Sequence, residues 1–312
     1  IPAVYTDYRH MMAAGDLDAV VIGVPDDLHY DVALAACDAG LHVLCEKPLA
    51  ANAEQAQAMA QRAAAAGVKH MVLYTFRWMP PLQYVRTLID EGYLGRFYHG
   101  EFRYLMGYAR SRDYAWRLDR RRANGLLGDI GAHVIDTARW LVGEIAAVNA
   151  QLGYFVERPG ADGGPGEAAN DCALLLVQFA DGGQGVIQAS GVAHLADSAL
   201  QQQVRLYGED GTLEIDLPPF GPAAVIRGAR KDEAQMQVLE VPPAYWGAAD
   251  PANPFSVFTT NSAGARRFID AILRDEPAVP SFYDGYRVQQ VIDAALEAHA
   301  GGCAVAIETQ AV

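Results

Sequence analysis

Three things are scarce in this sequence, namely cysteine, basic residues and long apolar runs, and each shortage excludes a class of protein. The four cysteines lie far apart without a C-x-x-C spacing, which argues against a disulfide scaffold or a zinc cluster. Only 24 Lys and Arg residues stand against 38 Asp and Glu residues, and the net charge of −14 argues against a general binder of nucleic acid or anionic membranes. No apolar run reaches the roughly 18 residues of a membrane helix, and the first residues do not resemble a secretion signal. We therefore expect a cytoplasmic protein.

The composition that remains is that of an ordinary globular protein, with 51% apolar and 20% charged residues. A single core usually stops growing at about 250–300 residues, so the 312 residues predict two domains. At the start of the chain, short apolar runs alternate with helical patterns that end in glycine, which predicts a parallel sheet covered by helices. The predicted strands are Ala19–Val24, His42–Cys45 and Val68–Tyr74, and the predicted helices are Tyr30–Ala39 and Ala53–Ala66.

Beyond about residue 95, longer β-type segments are separated by hairpin turns, which predicts a second, α+β domain with a large, mostly antiparallel sheet. We place the two domains at residues 1–75 and 76–312. Two stretches, Arg158–Asn170 and Pro242–Pro254, are predicted loops that act either as lids or as disordered excursions. The predicted strands are Phe97–Leu105, Ala146–Phe155, Ala173–Phe179, Gly185–Ala189, Gln203–Tyr207, Thr212–Ile215, Ala223–Arg227 and Gln235–Val241. The predicted helices are Pro81–Glu91 and residues 126–142, 261–274 and 284–300.

Two short motifs follow predicted strands, at the strand ends where parallel sheets bind ligands. The first, Val24-Pro25-Asp26-Asp27-Leu28-His29, is either a ligand-binding loop or a plain turn with Asp27 as a cap and His29 at the surface. In the second, Cys45-Glu46-Lys47-Pro48, the proline keeps Lys47 out of helical geometry, so the lysine projects from the strand end. A lysine there is either a charge beside a reacting hydroxyl or a solvated side chain beside a turn.

A third motif, Gly128 to Leu141, contains Asp129, His133 and Asp136. At helical spacing Asp129 and His133 share a face, which would let the carboxylate orient the imidazole. Two Asp residues around one His also suit a metal, but no further ligand is spaced to complete a site, and we predict none. The plain alternative is a helix capped by Asp129 with a structural histidine.

An arginine-rich stretch, Arg110 to Arg122, precedes this motif in an otherwise acidic chain. Its arginines either attract an anionic group of a substrate or cofactor or form salt bridges at the surface, and the second interpretation is favoured for most of them. We exempt Trp116-Arg117, because an aromatic residue beside an arginine can stack on a ring.

In this order and spacing, the motifs resemble the Gfo/Idh/MocA family (glucose–fructose oxidoreductase, inositol dehydrogenase and rhizopine catabolism). The resemblance is carried mainly by the block Ala39 to Leu49, with its Glu46-Lys47-Pro48, followed further on by Asp129-x-x-x-His133. The other matching segments are Asp18 to Ile22 with Pro25 and His29, Arg77-Trp78-Met79-Pro80, Gly92 to Gly95, Trp116-Arg117 and Asp284-Gly285-Tyr286.

The resemblance implies an α/β fold, in which a partial Rossmann domain with a doubly wound parallel sheet precedes an α+β domain with a large open sheet. It implies Lys47, Asp129 and His133 as the catalytic residues. The loop at Asp26 would face the cofactor, although an asparagine often stands at this position in the family. The predicted cofactor contacts are Pro25, Asp26, His29, Glu46, Lys47, Arg77, Trp116 and Arg117.

The family's phosphate-binding G-x-G-x-x-G turn occurs nowhere in the sequence. Pro2–Thr6 resembles the family's third strand, so the first two strands would be absent and the sheet would be open in its middle. We expect that roughly sixty residues, about two βα units, are missing from the sequence. The alternative is a degenerate homologue that no longer binds NAD(P).

The activity that the resemblance implies is hydride transfer between a sugar or polyol CH–OH and the nicotinamide of NAD or NADP. His133 would act as the general base, Lys47 would stabilise the alkoxide, and Asp129 would orient the pair. Two alternatives stay open: a redox-neutral glycoside hydrolase or lyase that uses NAD transiently, and a non-catalytic sensor of sugar and dinucleotide. Tyr245 and Trp246 offer aromatic faces for a sugar ring. We expect a small-molecule substrate, no nucleic-acid or membrane partner, and a homodimer or homotetramer formed through the sheet of the second domain.

Overall fold

The computed structural model describes residues 3–196, 198–217 and 224–308. Within them the chain forms two compact units, one of residues 3–74 and 264–290 and the other of residues 75–263 and 291–308. The domain division at residues 75 and 76 stays a prediction, and residues 264–290 pack with the first unit. The helices are α1 (Tyr8–Ala13), α2 (His29–Asp38), α3 (Ala53–Ala66), α4 (Pro80–Asp90), α5 (Ala132–Leu141), α6 (Pro243–Trp246), α7 (Ser256–Thr260), α8 (Ala263–Arg274) and α9 (Phe282–Gly301). The strands are β1 (Ala19–Ile22), β2 (His42–Cys45), β3 (His70–Val72), β4 (Phe97–Met106), β5 (Ile145–Gly153), β6 (Cys172–Phe179), β7 (Gln184–Ser190), β8 (Leu200–Gly208), β9 (Gly211–Leu217), β10 (Val225–Arg230), β11 (Gln237–Val238) and β12 (Val305–Ala306).

The sheet of the first unit has three parallel strands in the order β1-β2-β3. These are the three predicted strands: β2 has the predicted bounds, whereas β1 and β3 are shorter than predicted. Their parallel pairing confirms the partial Rossmann architecture. Local signals fix the helices between them. The Asn52 side chain accepts a hydrogen bond from the Gln55 backbone N–H at 2.9 Å where α3 begins, and Gly67 ends that helix with a φ of 67°.

The predicted strand at Pro2–Thr6 is wrong in the part that the structure describes. Residues 3–6 form no strand, and Val4 is 84% exposed; Pro2 lies outside the described residues. A strand persists only where neighbours satisfy its backbone N–H and C=O groups and a face is buried, so an apolar pattern alone does not create one.

The second unit contains a nine-stranded sheet in the order β11-β10-β9-β8-β4-β7-β6-β5-β12. All neighbouring pairs are antiparallel except β4 with β7, which run parallel, so the predicted mostly antiparallel sheet is confirmed. The predicted strand Gln235–Val241 shrinks to β11, two exposed residues at the edge of the sheet. The prediction Ala223–Arg227 corresponds to β10, and its residue Ala223 lies outside the described residues.

One face of this sheet is covered and the other is open. The side chains of β6 alternate between buried and exposed positions, with Leu175 and Phe179 each 1% exposed. On the covered side, α5 contacts β4 and β7. On the open side, the exposed apolar side chains are Leu174, Leu176 and Val186. The alternation is the expected signature of a sheet that buries only one face within the chain.

The two predicted loops are folded segments. Pro242–Pro254 contains α6, where Trp246 is 7% exposed and packs with Ala249 and Val257 in a small core. Arg158–Asn170 is held by isolated bridges between Pro159 and Pro165 and between Asp119 and Ala168. Among the described residues, no helix is both long enough and apolar enough to cross a membrane.

Candidate active site

In the first unit, the loops after β1 and β2 carry five of the predicted site residues. Glu46 directly follows β2, and its backbone N–H donates to the Ile22 carbonyl at 2.9 Å, which continues the parallel pairing past the strand end. Lys47 is half-buried and precedes a cis peptide bond to Pro48. The side chain of Asp26 is buried. Burial raises the pKa of the neighbouring Cys45 thiol well above its usual value, and the charges of Glu46 and Asp26 add to this. A lysine and two carboxylates thus follow the carboxyl ends of two adjacent parallel strands.

His29 connects these two loops from inside the protein. Its side chain is fully buried, with Nδ1 at 2.9 Å from the Pro48 carbonyl oxygen and Nε2 at 2.9 Å from the Val24 carbonyl oxygen. Burial lowers the pKa of His29, and hydrogen bonding to the two carbonyls works in the opposite direction. In this structure the His29 ring connects the loops after β1 and β2 through these two hydrogen bonds. A contact of His29 with the cofactor stays a prediction. The surface position considered as the alternative for His29 is wrong.

In the second unit, Asp129 lies in a π-helical turn, Leu127–Gly131, that leads directly into α5 with His133. Asn170 fixes the start of this turn, because its side-chain oxygen accepts from the Leu127 N–H at 2.9 Å. Gly125 has a φ of 64°, and a Cβ there would lie 2.3 Å from the Asn170 carbonyl oxygen. Asp129 is therefore inside the helical segment and does not cap it, contrary to the plain alternative. π-Turns of this kind are frequent at functional sites.

Two side chains from separate turns lie at the Asp129 carboxylate. The Tyr108 hydroxyl donates a hydrogen bond to Asp129 Oδ2, and Arg117 Nε lies 3.8 Å from Oδ1. The Arg117 guanidinium stacks over the ring of Trp116 at 4.3 Å from its centroid. The structure thus brings Arg117, of the predicted Trp116-Arg117 pair, to the predicted residue Asp129. Tyr108 was missed because a tyrosine after a strand carries no motif of its own.

His133 and its helix are held by the segment Thr75–Trp78. The Phe76 ring stacks on the His133 imidazole, with centroids 4.7 Å apart and planes inclined by 29°. Arg77 forms a two-pronged ion pair with Asp136 on the next turn of α5, with Nε to Oδ2 at 2.9 Å and Nη2 to Oδ1 at 2.6 Å. The Arg77 and Asp136 side chains are only 12% and 1% exposed. A cofactor contact of Arg77 stays a prediction, and the structure gives its guanidinium a buried partner in α5.

Two arginines of the Arg110 to Arg122 stretch form surface ion pairs. Arg121 donates twice to Asp119 at 3.0 Å, and Arg120 donates to Glu167 at 3.0 Å. For these two residues the expected surface salt bridges are confirmed. In the described ranges, no group of three His, Cys, Asp or Glu residues is arranged to hold a metal ion. Trp246 is a core residue, so its ring offers no open face to a sugar.

The chemistry of the donor groups fits the nicotinamide end of a dinucleotide. The loops after β1 and β2 place Pro25, Glu46 and Lys47 at the ligand-binding edge of a parallel sheet, as a doubly wound sheet requires. The G-x-G-x-x-G motif does not occur in the sequence. Of the predicted catalytic residues, Lys47 belongs to the first unit, and Asp129 and His133 belong to the second.

Comparison with known proteins points to one family. The profile described as "Oxidoreductase family, NAD-binding Rossmann fold" matches residues 1–74, and that of the "GFO/IDH/MocA C-terminal domain" matches residues 82–214. The levoglucosan dehydrogenase of Pseudarthrobacter phenanthrenivorans is 31% identical over 320 residues, covering 95% of this chain and 81% of that enzyme. The inositol 2-dehydrogenase of Rhizobium meliloti is 30% identical over 202 residues, covering 64% of this chain and 58% of that enzyme. A solved structure of levoglucosan dehydrogenase with NADH and levoglucosan superposes with a TM-score of 0.88 at 31% identity, covering 98% of this chain and 84% of that one.

Proposed function

The chain belongs to the Gfo/Idh/MocA oxidoreductase family, and on this premise we propose that it is an NAD(P)-dependent dehydrogenase that oxidises a CH–OH group of a sugar or polyol. The observation that carries the proposal is the similarity over nearly the whole chain to a dehydrogenase solved with NADH and a sugar. The side chains that this chemistry needs, namely a lysine, a carboxylate and a histidine, are present as Lys47, Asp129 and His133.

His133 is the proposed general base. Its imidazole lies against Phe76, which fixes the plane of the ring, and it stands on a helix that the Arg77–Asp136 pair anchors. A ring held in this way can take the proton of a substrate hydroxyl without a large rearrangement. NAD(P)⁺ supplies the hydride acceptor when it is bound.

Lys47 and Asp129 are the proposed electrostatic partners of that step. The Lys47 ammonium donates a hydrogen bond to the oxygen that becomes the alkoxide while His133 takes the hydroxyl proton, since a positive charge at developing negative charge lowers the barrier. Asp129 orients the reacting groups, and its carboxylate is itself held by Tyr108 and faces Arg117. Glu46 and the Pro25–Asp26 turn would line the nicotinamide end of the site.

We also propose that the protein forms a homodimer or homotetramer through the open face of the nine-stranded sheet. Leu176 on β6 and Val186 on β7 are paired across the two strands and are 63% and 41% exposed, and Leu174 is 45% exposed. Contiguous apolar side chains on an open sheet are typical of a surface that is covered in the assembly. Sedimentation of the wild type and of Leu176→Glu tests this, since a purely monomeric wild type would contradict it. A cytoplasmic location is proposed too, because the reaction draws on the nicotinamide cofactor of the cell interior.

The test of the activity is a turnover assay of the natural full-length protein with NAD⁺ and NADP⁺. Levoglucosan, inositol, D-apiose and D-xylose serve as substrates, and formation of the reduced nicotinamide is followed. Net reduction separates the dehydrogenase from the redox-neutral hydrolase or lyase and from the sensor, neither of which accumulates reduced cofactor.

The assigned residues are tested in the same assay. General acid–base assistance is worth about 10²- to 10⁴-fold, so His133→Ala and Lys47→Ala should each lose at least the lower of these factors in kcat. The control is Glu167→Gln, which alters an exposed ion pair in the same unit as His133. Turnover close to that of the wild type in either alanine variant would refute its role.

A further inference from the structure

Tyr108 lies in a 3₁₀ turn, Tyr108–Arg110, directly after β4. Its ring is 41% exposed, whereas its hydroxyl is turned onto Asp129 Oδ2. Arg117, which follows from a different turn, faces the other carboxylate oxygen at 3.8 Å. The Asp129 carboxylate therefore accepts a hydrogen bond at Oδ2 and faces a positive charge on the side of Oδ1, and the two groups belong to different segments. Of the two contacts, the hydrogen bond from Tyr108 is the one short enough to orient the carboxylate.

The turn that carries Tyr108 is itself fixed by a buried arginine. Arg158, whose side chain is 4% exposed, donates from Nη2 to the Ala109 carbonyl and from Nε to the Ser111 carbonyl at 3.1 Å. Asp171, fully buried, lies 3.7 Å from Arg158 Nη1 and accepts the backbone N–H of Val156 at 2.9 Å. The carbonyls of Ala109 and Ser111, the residues on either side of Arg110, are thus bound to one rigid, planar guanidinium. This gives the turn a defined position.

The hydroxyl of Tyr108 is the donor in its hydrogen bond to the Asp129 carboxylate. Burial of the phenol and then the negative charge of Asp129 raise the pKa of Tyr108 above its usual range, and Arg117 opposes this in part. Burial and the same carboxylate also raise the pKa of Tyr104, to about 12. The raised pKa of Tyr108 is consistent with a protonated hydroxyl that donates to Asp129.

We propose that Tyr108 is a positioning residue of the active site, which holds the Asp129 carboxylate in its working orientation and is itself held by Arg158. The proposal deepens the proposed function and rests on the role assigned there to Asp129. A carboxylate that is already fixed orients its partners without a further loss of side-chain conformational entropy. Misplacement of a catalytic group by about 1 Å can lower the rate about 10²-fold. Loss of the hydroxyl should therefore act on kcat and leave substrate binding largely intact.

The test is Tyr108→Phe, which removes one oxygen and keeps the ring. We expect kcat to fall about ten- to a hundredfold while KM stays within about threefold. Tyr98→Phe is the matched control, because Tyr98 is also an exposed tyrosine of the β4 region, at 44%, and it should leave both constants unchanged. A decrease in kcat shared by both variants, or a rise in KM alone, would overturn the proposal.

A double-mutant cycle with Asp129→Ala separates this proposal from the function on which it rests. If Tyr108 acts through Asp129, Tyr108→Phe lowers kcat and the melting temperature in the wild type but not in the Asp129→Ala background. Melting requires no substrate, so it tests the Tyr108–Asp129 coupling even if the wild type oxidises none of the four sugars and polyols, a result that would contradict the proposed function and leave the coupling measurable. Equal losses of melting temperature in both backgrounds would refute the Tyr108–Asp129 coupling.

Discussion

Acid should destabilise the first unit through His70, the first residue of β3. The Phe282 backbone N–H, at the start of α9, donates to His70 Nδ1 at 3.1 Å, and the two rings lie 5.0 Å apart. This contact requires a neutral imidazole with an unprotonated Nδ1. Burial lowers the pKa of His70 to about 4; Asp284 raises it and Lys69 lowers it.

The size of the effect follows from the difference between the folded and unfolded chain. With a pKa of about 6.5 when unfolded and about 4 when folded, the unfolded chain binds more protons between these values, so acid favours unfolding. At 1.36 kcal/mol per pKa unit, about 3 kcal/mol of stability is lost as the pH falls from about 6.5 to about 4. Above pH 6.5 this contribution is complete, and below pH 4 it is gone.

The assay compares the free energy of unfolding of the wild type and of His70→Gln between pH 7 and pH 4. Far-UV circular dichroism in urea is the measurement, because all four tryptophans belong to the second unit and do not report on the first. Because glutamine does not titrate, the free energy of unfolding of His70→Gln should depend less on pH than that of the wild type. The difference between the two proteins should shrink by about 3 kcal/mol between pH 7 and pH 4. His10→Gln, at an exposed position of α1, is the control. Parallel curves for His70→Gln and the wild type would refute the reasoning, as would an NMR titration of the His70 ring with a midpoint near 6.5.

Three other changes test the second unit and the thiols. Asp136→Asn removes the carboxylate that pairs with the buried Arg77 guanidinium, so the free energy of unfolding in urea should fall by about 3–4 kcal/mol. Glu167→Gln, in the exposed ion pair with Arg120, should lower it by less than about 1 kcal/mol. Equal losses in the two variants would show that burial of the ion pair does not matter. Gly125→Ala should cost about 2 kcal/mol or more, because it combines a φ of 64° with a contact of 2.3 Å to Asn170, and an unchanged melting temperature would contradict this. In thiol labelling of the native protein at pH 8, the exposed Cys303 should react first. Cys45 should react only after denaturation, because burial makes its thiol inaccessible and raises its pKa. Mass spectrometry of the labelled peptides identifies the order of reaction.

The parts of the fold that sequence predicts are those with local causes. Asn52 and Gly67 mark the two ends of α3, and the apolar runs at β1, β2 and β3 indicate buried parallel strands, because these signals depend on neighbouring residues only. Pro2–Thr6 shows the limit. Its pattern suits a strand, but a strand also needs partners, and a pattern does not say whether partners are present.

The residues of the candidate site likewise fall into those that the sequence predicts and those that it does not. Lys47, Asp129 and His133 are recognisable because their spacing and their proline and glycine neighbours are part of a motif. Tyr108 and Arg158 are not recognisable from the sequence, because each contacts a partner far along the chain. Asp129 is 21 residues from Tyr108, and Ala109 is 49 residues from Arg158. Contacts of this range are decided by the packing of whole strands and turns, which no local pattern records.

The central place of β4 in the nine-stranded sheet has a consequence for how the protein is made. Its neighbours, β7 and β8, are Gln184–Ser190 and Leu200–Gly208, so both are synthesised long after Met106 ends β4. At about 5–20 residues per second, a nascent chain holds an unpaired β4, with Phe102 and Tyr104 uncovered, for several seconds at least. The sheet can form around β4 only after β7 and β8 have been synthesised, and until then the unpaired edges of β4 are open to association with other chains.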